Sequence, residues 1–205
     1  MYFLLGNHDF YGSSFSEVQK RVEEVCAGHG NLRQLGRGEI VPLGSGDALI
    51  GHQGWADGRA GWGPRSLARN PDFQAIGDFC GLSQGEAFAR MHKLGKGCAQ
   101  YFRDLLPYAL TCYRRVWVAT HVPPFSHAAY YDNKPCDKLR QPFFSNISAG
   151  GAIRAIAGRF PGRRLTVLCG HTHCRAAVRA ANNVEVLVGS ARPGAPEFQQ
   201  IFSLN

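Results

Sequence analysis

Acidic residues are scarce in this chain. Its 205 residues hold 15 Asp and Glu against 23 Lys and Arg, a formal charge of +8 with histidine neutral. That balance favours anionic partners but does not speak to fold. A block of Lys and Arg interleaved with aromatics is missing as well. The basic residues are scattered as Arg33 and Arg37, Arg114-Arg115, Arg163-Arg164, Arg175 and Arg179. They read as a solvated surface more than as a nucleic-acid interface. No run of about 18 apolar residues occurs, which argues against a membrane helix. Met1-Tyr2-Phe3-Leu4-Leu5 has no basic stretch and no cleavage site, which excludes a secretory signal. The seven cysteines form no C-x-x-C pair. An odd, dispersed set of this kind fits reduced thiols in the cytoplasm. Internal repeats, low-complexity tracts and a clear domain boundary are also lacking. With 44% hydrophobic residues the chain can bury a sizeable core, so a single domain over 1–205 is expected.

What the chain does have is one arrangement repeated three times: an apolar, strand-like run that ends on histidine. Tyr2-Phe3-Leu4-Leu5 leads into Gly6-Asn7-His8-Asp9. Val116-Trp117-Val118-Ala119-Thr120 leads into His121-Val122-Pro123-Pro124. Leu165-Thr166-Val167-Leu168-Cys169 leads into Gly170-His171-Thr172-His173. Alternate residues of extended chain share a side, so His171 and His173 are expected to reach a common centre. Neutral imidazole is the commonest protein metal ligand. Sites in open α/β sheets form outside the carboxyl ends of the strands. Three such strands in one sheet would place Asn7, His8, His121, His171 and His173 at one rim. The bland alternative is three unrelated polar loops, which the shared context disfavours.

Between these motifs the chain reads as mixed α and β. Ser14-Phe15-Ser16-Glu17 is a capping box, followed by apolar residues at helical spacing up to Gly28-His29-Gly30. Leu32–Leu35, Glu39–Leu43 and Ala48–Gly51 suggest a meander of short strands. The Gly-rich loop 52–63 holds His52, Asp57 and Arg59, which could face the site; an ordered surface loop with Trp anchors is the competing reading. Residues 72–112 look mostly helical, with a second capping box at Ser83-Gln84-Gly85-Glu86, a possible break at Gly95-Lys96-Gly97 and an end at Pro107. Loop 122–146, with His127, is long enough to line a pocket. A helix is expected over Ala149–Arg159, and tail strands over Ala176–Arg179, Val184–Val188 and Phe198–Phe202.

Imidazole and amide ligands suit Mn, Fe, Zn or Ni better than Ca or Mg. Two such ions about 3.5–4 Å apart generate hydroxide and clamp a phosphate, but they need carboxylates to offset their charge. Only Asp9 lies beside a histidine loop.

Gly6-Asn7-His8-Asp9, then Thr120-His121-Val122-Pro123-Pro124, then Gly170-His171-Thr172-His173 resembles, in order and spacing, the calcineurin-like metallophosphoesterase superfamily. The likeness spans nearly the whole chain and is nearest to an uncharacterised bacterial type with the loop Gly54-Trp55-Ala56-Asp57-Gly58-Arg59. It implies an α/β fold, a four-layer α/β/β/α sandwich around a dinuclear centre of divalent transition metals. By that likeness Asn7, His121 and His171 would hold the second metal and His173 the first. His8 would be the general acid or phosphate stabiliser, and Asp9 would orient His8. A metal-bridging hydroxide would attack phosphorus, in the manner of a phosphatase acting on a phosphorylated small molecule, as monoester or diester. The family opens with Asp-x-His and Gly-Asp motifs; Gly46-Asp47 and Gly77-Asp78 come too late in the chain to serve. The expectation is therefore an N-terminally incomplete sandwich with Met1 at an interior position. The alternatives are an inactive relic or mononuclear metal-binding module, and, more weakly, a nuclease of the same fold.

Overall fold

The computed structural model describes residues 1–44 and 46–204. Its centre is a six-stranded sheet. Strands β4 (Asp47–His52), β5 (Arg115–Thr120), β8 (Arg164–Cys169) and β10 (Val184–Val188) lie side by side and parallel. Strands β3 (Val41–Pro42) and β9 (Ala176–Ala181) close the two edges antiparallel, in the order β3-β4-β5-β8-β10-β9. Strands β5, β8 and β10 match the expected apolar runs, because Val, Leu and Ile suit a pleated surface buried on one or both sides. The remaining short strands pair apart from this sheet. Tyr130–Tyr131 and Lys134–Pro135 form a hairpin whose turn, Asp132-Asn133, has both residues at positive φ (51° and 57°), as a tight right-twisting turn requires.

Two helices cover one face. After α1 (Phe15–Gly28) and the short α2 (Asp72–Ala75), helix α3 (Gln84–Cys112) connects β4 to β5; after the short α4 (Gln141–Phe144), α5 (Ile147–Gly158) connects β5 to β8. Both crossovers step the same way across the sheet. Right-handed crossovers therefore set both helices on one side. Ile50, Val116, Val118, Leu165, Val167 and Val186 meet Phe102, Leu106 and Leu110 of α3 and Ile153 and Ile156 of α5 in one core. The N-terminal half of α3 enters a second core, where Phe88 and Met91 pack with Phe10, Trp55, Ile76, Phe79 and Phe143. The opposite sheet face is half-buried at Leu49, Leu168 and Leu187. There Phe202 of the tail lies 4.8 Å from the Trp117 ring.

Several expectations need correction. The first rim strand is Tyr2–Phe3 alone, and it lies outside the main sheet. It pairs in parallel with Arg33–Gln34, and Leu35 N donates to Phe3 O (2.9 Å). That pairing also removes Leu32–Leu35 from the expected meander. Residues 198–202 form no strand, since Phe202 packs by its side chain rather than by a ladder. Helix α3 passes through both Gly95-Lys96-Gly97 and Pro107. A proline inside a helix costs about 3 kcal/mol. Burying Leu106, Ala109 and Leu110 completely offsets this, at about 1.5–3 kcal/mol for each large side chain. Gly95 is a contact surface rather than a break: a Cβ there would sit 2.3 Å from Asp57 Cβ. Both capping boxes form as expected, at Ser14/Glu17 and Ser83/Glu86. All seven cysteines are free. Among the described residues no helix is long and apolar enough to cross a membrane.

Candidate metal centre

The site lies past the carboxyl ends of β5 and β8. Hydrogen bonding continues beyond the strands: His121 N donates to Gln53 O and Gly170 N to His121 O, both 2.9 Å. The backbone bearing His121 is thereby fixed between its two neighbours. Asn7 arrives from a separate 3-10 turn, Asn7–Phe10. Gly6, just before it, lies against the His121 ring, where a Cβ would meet Cε1 at 2.6 Å. A side chain at Gly6 would displace the imidazole.

Three polar atoms converge. Asn7 Oδ1 is 2.9 Å from His121 Nε2 and 3.2 Å from His171 Nδ1, and the two ring nitrogens are 3.2 Å apart. Their protons are fixed from outside. His171 Nε2–H donates to Phe143 O at 2.8 Å, so Nδ1 carries a bare lone pair. Asn7 Nδ2 donates to Asp72 Oδ1 at 2.8 Å, so Oδ1 faces the histidines. Two acceptors, Asn7 Oδ1 and His171 Nδ1, thus confront each other with His121 Nε2 between them. Adjacent ligands of an ion with bonds of about 2.1 Å stand about 3.0 Å apart in an octahedron and about 3.4 Å in a tetrahedron. The observed separations fit that spacing, and the donor set fits a borderline divalent cation.

Burial, and then the neighbouring rings of His171, His8 and His173, hold His121 well below the ordinary imidazole range. Burial also lowers His171, although its bond to Phe143 O and the charge of Asp72 oppose this. Both rings therefore stay neutral and available as ligands.

His171 and His173 do not share a centre. The segment is a turn rather than extended chain: Thr172 N donates to Gly170 O (2.8 Å). Both histidines occupy left-handed backbone, at φ 68° and 56°, a conformation costing non-glycine residues of order 1–3 kcal/mol. The turn sends His171 to Asn7 and His121. It sends His173 toward His8, whose ring lies edge-on with centroids 5.4 Å apart. Burial, and then His8, lowers the His173 pKa. His8 is exposed and also faces the Tyr11 ring at 4.8 Å.

Asp9 does not orient His8. Its Oδ2 accepts from Gly6 N at 2.7 Å and caps the turn that presents Asn7. Behind the centre stand residues that sequence reasoning missed. Asp72 is buried and accepts from Asn7 Nδ2 and from Tyr11 Oη, each at 2.8 Å. Burial, together with the bond to Asp72, raises the Tyr11 hydroxyl pKa. Asn70-Pro71-Asp72 reads in sequence as a helix start and nothing more; 65 residues separate Asp72 from Asn7. Among the described residues, no three of His, Cys, Asp and Glu are grouped to hold a metal. The Asn7 amide completes this set.

The four candidate substrate residues lie elsewhere. Asp57 is fully buried and caps α5: it accepts from Ser148 N (2.8 Å), Ser148 Oγ (2.7 Å) and Arg59 N (3.1 Å). Arg59 is exposed beside Lys96 and Arg103. His127 lies against Phe125, with centroids 5.7 Å apart. His52 accepts from Gly54 N at 2.9 Å and packs on Tyr101. Burial pushes its pKa down to about 4. Between pH 6.5 and 4 the unfolded chain takes a proton at His52 that the folded chain refuses, so stability falls as pH drops through that window. Allowing for the partly exposed ring, the loss is about 2 kcal/mol. Urea melts at pH 7.0, 5.5 and 4.5 should show a shallower decline for His52→Asn than for the parent. Equal declines would remove His52 as the cause.

No family model matches the chain, and no curated protein matches it.

Proposed function

We propose that this chain is a metal-dependent phosphoesterase of the calcineurin-like type. The observation that carries the reading is the meeting of Asn7 Oδ1, His121 Nε2 and His171 Nδ1 within 2.9–3.2 Å, from three separate chain segments. Such a site takes Mn, Fe, Zn or Ni. When bound, the ion supplies Lewis-acid polarisation of a phosphoryl oxygen and activates water. The chain supplies the rest. Asp72 and Phe143 O hold the ligand atoms in orientation. His8, exposed and edge-on to His173, would donate a proton to the departing oxygen or a hydrogen bond to the phosphoryl group. His173 flanks it and would hold a further ion. The substrate class is a phosphorylated small molecule, as monoester or diester. In the four-layer sandwich of this type, a second sheet would pack on the face of half-buried Leu49, Leu168 and Leu187 and buried Trp117. The free thiols fit a reducing compartment.

One observation favours a second reading, a mononuclear binding module without turnover. Asp72 stands behind the centre, where its Oδ1 accepts from both Asn7 Nδ2 and Tyr11 Oη and its Oδ2 from Asn70 Nδ2 at 3.5 Å. Among the described residues no carboxylate is set to bridge two ions. The deciding experiment loads the protein with Mn and, separately, Zn. It measures bound metal by mass spectrometry and follows hydrolysis of p-nitrophenyl phosphate and its bis-ester. Ion-dependent turnover that EDTA abolishes supports the phosphoesterase. One tightly held equivalent without turnover supports the module. Absence of bound metal sinks both.

A further inference from the structure

A basic cavity lies at the opposite end of the sheet. β4, β5, β8 and β10 are parallel, so their amino ends share one edge. From Arg115 to His121 the chain runs six residues in extended form, about 20 Å from the histidine centre. At that edge is a cavity of about 760 Å³ lined by Arg114, Arg115, Arg163, Arg164 and Arg179, with Asp47 and Glu185 as its carboxylates.

The topology forces the arginines together. Arg114-Arg115 opens one strand and Arg163-Arg164 its neighbour; Arg115 and Arg164 are paired in register. Arg164 N donates to Arg114 O at 3.0 Å. Arg179 stands opposite Glu185 across β9 and β10. Like charges opposed across a sheet are destabilising unless something neutralises them. Asp47 neutralises only one: it accepts from Arg115 Nε at 2.8 Å and from Trp117 Nε1 at 3.3 Å. The ion pairs among the described residues leave Arg114, Arg163, Arg164 and Arg179 without a carboxylate partner. The wall is also rigid. Asn183 Nδ2 donates to the carbonyls of Ala157, Phe160 and Arg163 at 3.0–3.1 Å, and Leu165 N donates to Asn183 O at 2.9 Å.

We propose that this cavity, where paired arginines from adjacent strand starts meet Arg179 with only one of them neutralised, binds a compact ligand carrying two or more phosphate groups. Guanidinium forks match phosphate oxygens two at a time, and four forks without a carboxylate, of which among the described residues only Arg163 reaches a backbone carbonyl (Thr111 O, 3.5 Å), exceed what one phosphate can engage. The volume is that of a small-molecule site. The lining contains no aromatic side chain, so it offers no platform for stacking the bases of a nucleic acid strand. This site is independent of the metal-centre reading.

The test is calorimetric titration of the full chain with pyrophosphate, in EDTA, at low salt. Saturable one-to-one binding is expected, at least tenfold tighter than orthophosphate or citrate. The double variant Arg164→Ser/Arg179→Ser, with both changes at exposed positions, should weaken pyrophosphate at least tenfold. His171→Ala should leave it unchanged. The proposal is overturned by absence of saturable binding to the parent, by equal affinity in the double variant, or by loss of binding in His171→Ala. Citrate binding as tightly as pyrophosphate would overturn the phosphate assignment.

Discussion

The His171→Ala protein should fold and lose its metal. His171 supplies one of three converging donors, and its removal leaves a cavity beside Asn7 and His121 that two donors cannot close around an ion. Bound Mn or Zn after dialysis is expected to fall below a tenth of the parent amount. Ion-dependent phosphoester hydrolysis should drop at least a hundredfold, beyond the 10- to 100-fold that loss of a supporting residue alone brings. Asp72→Ala provides that intermediate case. Without Asp72 Oδ1, the Asn7 amide loses the acceptor that keeps its Oδ1 toward the histidines. Metal affinity should then fall about 10- to 100-fold, with activity recovered at high metal concentration. Excess metal should not rescue His171→Ala. Full metal retention in His171→Ala would remove the ligand assignment. Loss in Asp72→Ala that metal cannot rescue would make Asp72 more than a positioning residue.

Asp57→Ala should unfold the protein far more readily while leaving the metal centre intact. Asp57 is fully buried and accepts three hydrogen bonds, two of them from Ser148 in the first turn of α5. Hydrogen bonds to a charged group contribute about 1.5–3 kcal/mol each, though not additively. A carboxylate at a helix N-terminus adds about 0.3–1 kcal/mol. A loss of about 3–4 kcal/mol is expected. At 2–4 °C per kcal/mol for a chain of this length, that lowers Tm by roughly 10 °C. Asp57→Asn keeps one acceptor oxygen and should lose about half as much. Metal binding, measured well below the lowered Tm, should match the parent. An unchanged Tm with lost activity would return Asp57 to the substrate-contacting role that its place in loop 52–63 suggests.

The sheet's central strands were legible because burial writes itself into sequence as short apolar runs: Arg115–Thr120, Arg164–Cys169 and Val184–Val188 form within one residue of the runs read from the sequence. The capping boxes were legible because their physics is local. Gly95 and Pro107 misled because both obey contacts made far away in the chain. Gly95 accommodates Asp57, and Pro107 is carried by the burial of its neighbours. Asp9 misled in the other direction, since a carboxylate beside a histidine can just as well cap its own turn.

The sequence alone determined the candidate groups: three apolar runs, each delivering Asn or His at its end, in a chain poor in carboxylates. It could not decide which of them meet. Tyr2–Phe3 left the main sheet, yet Asn7 still reached His121 and His171, because the turn capped by Asp9 and the buried Asp72 hold it there. The His171-Thr172-His173 turn, through two left-handed residues, sent one imidazole to the centre and the other to His8. Ligand identity is a property of residues, readable one at a time. Ligand convergence depends on long-range packing and on protons fixed from behind, and it exists only once the chain has folded.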